Sequence, residues 1–331
     1  MDADAYAAAH SAEWEHLDAL ARRRRLDGEA SDDLIASYQA AASQLSALSS
    51  ADGDSAYTDR LSTVLAHARL RFTGASSSAA GVVARFFVIV LPAALYRVRW
   101  VTLAVAVGTI VIGALAAWWL VSDPRALAAV GNEADLKQYM NHDFIDYYSK
   151  NPAASFAGQV WTNNAWLAAQ SIAFGILGVY VPYIIIQNAV NVGVAAGIFA
   201  HFGHLDVMFS YILPHGMLEL TSLFVAAAAG LRIFWAWIAP GARTRGQALA
   251  QEGRTLIAVA AGTAISLFCS GLIEGFVTPS PLPVWAKITI GALALAAFLV
   301  YMLVLGRRAV LAGETGDLAE PDAGGRRLVA A

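Results

Sequence analysis

The sequence predicts an all-α fold, a polytopic bundle of about six transmembrane helices behind a small N-terminal helical domain. Three observations predict it. Of the 331 residues, 58% are hydrophobic and only 14% are charged, against roughly 25% charged in soluble domains. The charge deficit is concentrated after residue 100, where apolar runs long enough to cross a bilayer recur. Before that point, apolar residues recur at helical spacing in a polar background. The net charge of −3 is too small to suggest a nucleic-acid partner. Lone Cys269 falls within an apolar run and has no internal disulfide partner. The acidic start Met1-Asp2-Ala3-Asp4 lacks the basic and apolar regions of a cleavable signal. Insertion is therefore expected to rely on internal helices.

Residues 1–81 read as a cytoplasmic helical domain. Trp14, Leu17 and Leu20 share one helical stripe, followed by the basic run Arg22–Arg25. Ser31-Asp32-Asp33 reads as an N-cap and first turn, and Leu34, Tyr38, Ala41, Leu45 and Leu48 follow at helical spacing. A third run carries Leu61, Leu65, Ala68 and Phe72. Residues 73–81 form a small-residue linker. Residues 82–100 are apolar but crowded by Arg85, Pro92, Arg97 and Arg99, which predicts an interfacial helix with Arg85 snorkelling.

The transmembrane domain is expected over 101–306. Its first span is 101–121. The polar, aromatic-rich segment 122–164 predicts short amphipathic helices on the extracytoplasmic membrane surface, with the aromatic residues of 139–161, Tyr148 among them, as an interfacial belt or, alternatively, a protein-docking surface. The remaining spans are placed at 165–187, 188–203, 211–237, 255–276 and 285–305. The 188–203 span is short for ~30 Å of hydrocarbon. Gly193 and Gly197 on it would let another helix approach closely. Residues 307–331 read as a disordered cytoplasmic tail. With six crossings, most arginines outside the spans fall on one side, which the positive-inside rule makes cytoplasmic, with both termini. The expected location is the cytoplasmic (inner) membrane.

Ionisable groups at membrane depth are costly and mark candidate sites. His215 and Glu219, four residues apart, share a helical face near the extracytoplasmic end of the fourth span. Glu274 comes to the same membrane side at the end of the fifth. With Asn163, Asn188 and Asn191 they make the predicted polar membrane cluster. His201, His204 and Asp206 in the adjoining turn join His215 and Glu219 as metal-ligand candidates. Three readings fit these residues. They can pair structurally with one another or with Asn and Gln side chains. They can bind a divalent metal or a proton. They can hydrolyse a substrate, with Glu219 or Glu274 as base. His-Gly-x-x-Glu is not the His-Glu-x-x-His zinc pattern, and no nucleophile elbow or glycine-rich phosphate loop is visible. No cofactor is otherwise indicated.

The chain resembles the stage II sporulation protein M family of bacterial and archaeal membrane proteins. Leu213-Pro214-His215-Gly216-Met217-Leu218-Glu219-Leu220 is similar to the family's Pro-His-Gly-x-x-Glu signature. Asn163, Phe174-Gly175-Ile176-Leu177-Gly178, Asn188 to Gly193 and Ile273-Glu274-Gly275-Phe276-Val277-Thr278-Pro279 add to the resemblance, which covers about residues 100–306. The N-terminal helices, with Trp14 and Leu17, look like the cytoplasmic extension of actinobacterial-type members. The resemblance implies envelope remodelling alongside peptidoglycan-degrading partners, with this chain as membrane anchor. It brings no established catalytic residues. The leading expectation is a non-enzymatic membrane scaffold or complex subunit, a homodimer through its small-residue faces, working with envelope hydrolases or other membrane proteins. The alternatives are an ion or small-solute transporter or channel subunit, and an intramembrane metal-dependent hydrolase.

Overall fold

Trp14, Leu17 and Leu20 recur every three residues, and in the computed structural model they form the buried seam of a three-helix unit. The structure describes residues 3–23, 26–51, 56–72, 79–149 and 153–318, which are helical with no strand among them. The chain divides into two compact units, Met1–Ala84 and Arg85–Ala331.

In the first unit, α1 (Ala3–Arg22), α2 (Gly28–Ala51) and α3 (Ala56–Phe72) pack on one another. Leu34, Ala41, Leu48, Leu61 and Ala68 are buried with the tryptophan seam, as their spacing predicts. The indole of Trp14 donates to Gln44 Oε1 at 2.7 Å, which satisfies its one buried donor. α2 begins three residues before the predicted Ser31 cap. Asp27 is the cap instead: its Oδ1 accepts from the Ala30 amide at 2.9 Å. Arg24 and Arg25 of the basic run, and residues 73–78 of the linker, lie outside the described residues.

The expected interfacial helix is not a separate element, and it begins at the end of the first unit's residues. α4 (Ala79–Arg85), a π-turn (Phe86–Val90) and α5 (Leu91–Ser122) form one continuous helix. The π-turn ends two residues before Pro92, which cannot donate an amide to the preceding turn. Leu91, Ala94, Leu95 and Val98 are buried in the bundle core rather than laid on a membrane surface. Arg85 pairs with Glu314 at 3.2 Å.

Segment 122–152 holds the expected short helices, α6 (Pro124–Val130), α7 (Glu133–Gln138) and α8 (Phe144–Ser149). Residues 153–164 belong instead to a long helix, α9 (Ala153–Ala173). The predicted 165–187 span is broken at a turn, where Gly178 adopts φ +69°. α10 (Tyr180–His201) therefore has 22 residues, about 33 Å of helix, and the short-span difficulty at 188–203 disappears. α11 (Leu205–Ile238), α12 (Arg245–Leu272) with a terminal π-turn (Ile273–Val277), α13 (Val284–Val300) and α14 (Gly306–Leu311) complete the chain.

Five helices among the described residues are long and apolar enough to cross a membrane. α9 is not one of them, yet it runs the height of the bundle. Ala153 O faces Gly275 at one end, and Ser171 O faces Gly230 at the other. α11 is the central helix and packs against α5, α9, α10, α12 and α13. Its Val225–Ala229 stretch is at most 4% exposed, since small side chains let the surrounding helices come close. Gly193 and Gly197 of α10 bear on Gly113 and Leu120 of α5. That small-residue face is thus consumed within the chain and offers no contact for a dimer.

The tail expected to be disordered from 307 is ordered through 318. After α14 it folds back over the helix ends. Asp317 accepts from Arg254 Nε and Nη2 at 2.6 and 2.7 Å, and Thr315 O accepts from Arg97 at 2.6 Å. Residues 319–331 lie outside the described residues.

Candidate functional site

The site is built on one turn of α11 and the end of α12. Helical spacing puts His215 and Glu219 on one face of α11, one turn apart. Pro214 precedes them inside the helix, and the Pro214 backbone is approached closely by Gly291 of α13. Glu274 sits in the π-turn that ends α12, and Gly275 beside it lets Ala153 and Ala157 of α9 close in. π-turns recur at functional sites because the extra residue re-aims side chains.

Ligand-type atoms of His215, Glu219 and Glu274 all lie within 4.8 Å of one another. His215 Nε2 is 3.7 Å from Glu274 Oε1. Its Nδ1 is 3.3 Å from Thr278 Oγ1, and Ser270 Oγ donates to the His215 carbonyl at 3.0 Å. His215 and Glu274 are 5% and 3% exposed. Glu219 Oε2 and Glu274 Oε2 are shut off from solvent and have no hydrogen-bond partner. An orphaned buried carboxyl oxygen is expensive, and here two face one histidine. One histidine and two carboxylates form a donor set suited to zinc or manganese. Ligand atoms around tetrahedral zinc stand about 3.3 Å apart, so side-chain adjustments of order 1 Å would close the triad on an ion.

The aromatic residues of segment 139–161 were expected to form an interfacial belt. Several instead turn inward as a cap over this centre. Tyr148 and Phe156 are buried. The Tyr148 ring lies 5.8 Å from that of His215 and 5.3 Å from Tyr211, and Phe144 packs on Phe199 at 4.8 Å. Burial pushes the Tyr148 phenol above its ordinary range and keeps it neutral.

The other predicted site residues lie apart. His201, His204 and Asp206 are exposed at the α10–α11 turn and do not join the centre. Asn163 is exposed on α9 and Asn188 half-buried on α10. Asn191 lines a separate cavity of about 370 Å³ with Val130, Asp135 and Tyr139. Among the described residues none of the three asparagines hydrogen-bonds to the His–Glu centre. Tyr148 is missed as a site residue because it is far away in sequence, and Ser270 and Thr278, each four residues from Glu274, because ordinary hydroxyl residues in an apolar run carry no distinguishing signal.

A second polar cluster was missed altogether. Glu252 of α12 is buried at 6% exposure and accepts from two arginines. Arg97 Nη2 reaches its Oε1 at 3.1 Å; Arg232 Nη2 and Nε reach Oε1 and Oε2 at 3.0 and 3.3 Å. A signal existed. Glu252 is the sole carboxylate between Glu219 and Glu274, and Arg232 near the end of an apolar run needs one. The two clusters are 17 residues apart along α11, about 25 Å, at opposite ends of the bundle.

The fold and the site define a helical integral-membrane protein with a buried histidine–carboxylate centre at one end and an arginine–glutamate cluster at the other. Residues 102–279 match the model of the family described as Stage II sporulation protein M, and the chain belongs to that family. Residues 4–74 match a domain of unknown function, DUF8413, which coincides with the three-helix unit. No curated protein and no solved structure matches the chain.

Proposed function

We propose that this protein is a non-enzymatic membrane scaffold or complex subunit in envelope remodelling, built around a divalent cation held by His215, Glu219 and Glu274. The convergence of three ligand atoms with two orphaned carboxylate oxygens carries the reading. Two carboxyl groups facing one histidine in an apolar bundle need a partner. A zinc-class cation would be that partner while tying α11 to the end of α12 beneath the Tyr148 cap. The closure of the centre favours holding an ion over turning over a substrate. By the positive-inside rule, the Arg97–Arg232 end faces the cytoplasm of the inner membrane, and the capped centre faces the opposite side. There segments 123–149 and 278–283 would present the docking surface for envelope hydrolases or their regulators. Any homo-oligomer uses a face other than Gly193–Gly197, which α5 already covers.

Elemental analysis of protein purified in mild detergent without chelator tests the cation. About one divalent ion per chain is expected, lost in His215→Ala and Glu274→Gln. A metal-free, fully folded protein that gains no thermal stability on titration with zinc or manganese overturns it. Crosslinking in intact cells tests the scaffold role, with recovery of peptidoglycan-active partners as the expected result. The same carboxylates beside Pro214 also suit a transporter subunit. Ion flux in proteoliposomes, abolished by Glu219→Gln, would favour that reading instead.

A further inference from the structure

We infer that the Arg97–Arg232–Glu252 end of the bundle holds the phosphodiester of an anionic glycerophospholipid. A cavity of about 400 Å³ opens there, lined by Val101 of α5, Leu231, Arg232 and Trp235 of α11, Arg243, and Glu252 of α12. Its charges do not balance. Glu252 is already engaged by Arg97 and by the fork of Arg232, and these guanidinium side chains are only 22% and 28% exposed. Arg243 brings a third guanidinium to the rim, and among the described residues its hydrogen bonds go to neutral oxygens, Gln251 Oε1 and the Pro240 carbonyl. Three cations thus meet one carboxylate. Among the described residues the nearby acids are shared with other cations: Asp317, whose charge also acts on Arg97, is held bidentate by Arg254, and Glu314 pairs with Arg85.

Among the described residues guanidinium groups thus outnumber carboxylates at this end, and the surroundings say which anion suits them. Guanidinium groups take phosphate oxygens in a forked geometry. The remaining wall of the cavity is apolar, matching a glycerol backbone and the start of an acyl chain. Trp235 and Trp237 are exposed on the same helix end, where tryptophan marks headgroup depth. Basic pockets between membrane helices at this level bind anionic headgroups. The proposal is independent of the cation centre, about 25 Å away along α11.

Native mass spectrometry of the full chain, delipidated and then exposed to phosphatidylglycerol or phosphatidylcholine, tests it. The wild type is expected to retain phosphatidylglycerol preferentially. Arg243→Gln is expected to lower that retention about five-fold, with phosphatidylcholine unchanged. Arg243 is exposed and outside the ion-paired core, so the variant should keep the wild-type melting temperature; Arg243→Lys, which keeps the charge, should retain the lipid. Equal retention of the two lipids by the wild type overturns the proposal, as does Arg243→Gln binding like wild type. Displacement of bound phosphatidylglycerol by inorganic phosphate at comparable concentration would assign the cavity to a free phosphate and overturn the lipid.

Discussion

Replacing Glu252 by alanine should destabilise the membrane unit more than any loss of a surface charge. The carboxylate is 6% exposed and accepts three N–H donations from Arg97 and Arg232. Its removal leaves two guanidinium groups facing each other in a poorly hydrated position, together with the Arg97 carbonyl, which accepts from Arg232 Nη1 at 3.0 Å. Deleting one partner of a buried ion pair costs about 3–5 kcal/mol. The arginine side chains keep 22% and 28% of their exposure, so water partly rehydrates them and the lower end, about 3 kcal/mol, applies. At roughly 2–4 °C per kcal/mol for a unit of this size, the melting temperature should fall by roughly 6–12 °C. Tryptophan fluorescence during thermal unfolding in detergent reads this directly. The double variant Glu252→Leu/Arg232→Met removes one stranded cation as well, so it should be less harmful than the sum of its singles, by roughly 0.5–3 kcal/mol. A Glu252→Ala protein melting within about 2 °C of wild type, or strict additivity in the double variant, would refute the reasoning.

Three further outcomes can be checked. Gly230→Ala would drive a Cβ into the Ser171 carbonyl and should cost about 1–3 kcal/mol by overpacking, whereas Gly108→Ala, with open space around it, should be silent in the same melting assay. Trp14→Ala removes the centre of the N-terminal core and leaves Gln44 without its indole partner; about 3–5 kcal/mol should be lost, seen as faster amide hydrogen exchange throughout α1–α3. Asp33, bonded to His16 at 2.8 Å, is held below its ordinary value of 3.8 chiefly by that hydrogen bond. A depressed folded-state value means stabilisation present above pH 3.8 and lost as pH falls through the folded value. Asp33→Asn should therefore flatten the acid limb of N-terminal unfolding, and an unchanged limb would exclude the pair as its source.

Much of the architecture is legible in one dimension. The seam of Trp14, Leu17 and Leu20, the apolar runs and the acid/base pair His215–Glu219 all follow from spacing, because a helix converts sequence period into a face. Glu274 could be brought to the same membrane side by counting crossings. Other readings failed where a local signal had two solutions. The 82–100 stretch looked interfacial because arginines crowd it, yet Arg85 and Arg97 find Glu314 and Glu252 from distant segments. Gly178 was hidden inside a run read as one span, since hydropathy averages over a left-handed turn. Tyr148 looked like a belt residue, because an aromatic side chain suits a headgroup layer and a packed cap equally well.

The sequence by itself determined the membrane class, the three-helix N-terminal unit and the identity of the residues too costly to bury without purpose. Those are properties of composition and period, and they survive without coordinates. Tertiary structure alone decided which polar groups meet. It drew Glu274 onto His215 and Glu219 through a π-turn and left His201, His204 and Asp206 in solvent. It matched Glu252 to Arg97 and Arg232, and it folded residues 313–317 back over the helix ends. The reason is geometric: partners drawn from different helices are set by packing angles and close approaches, which no single helix encodes.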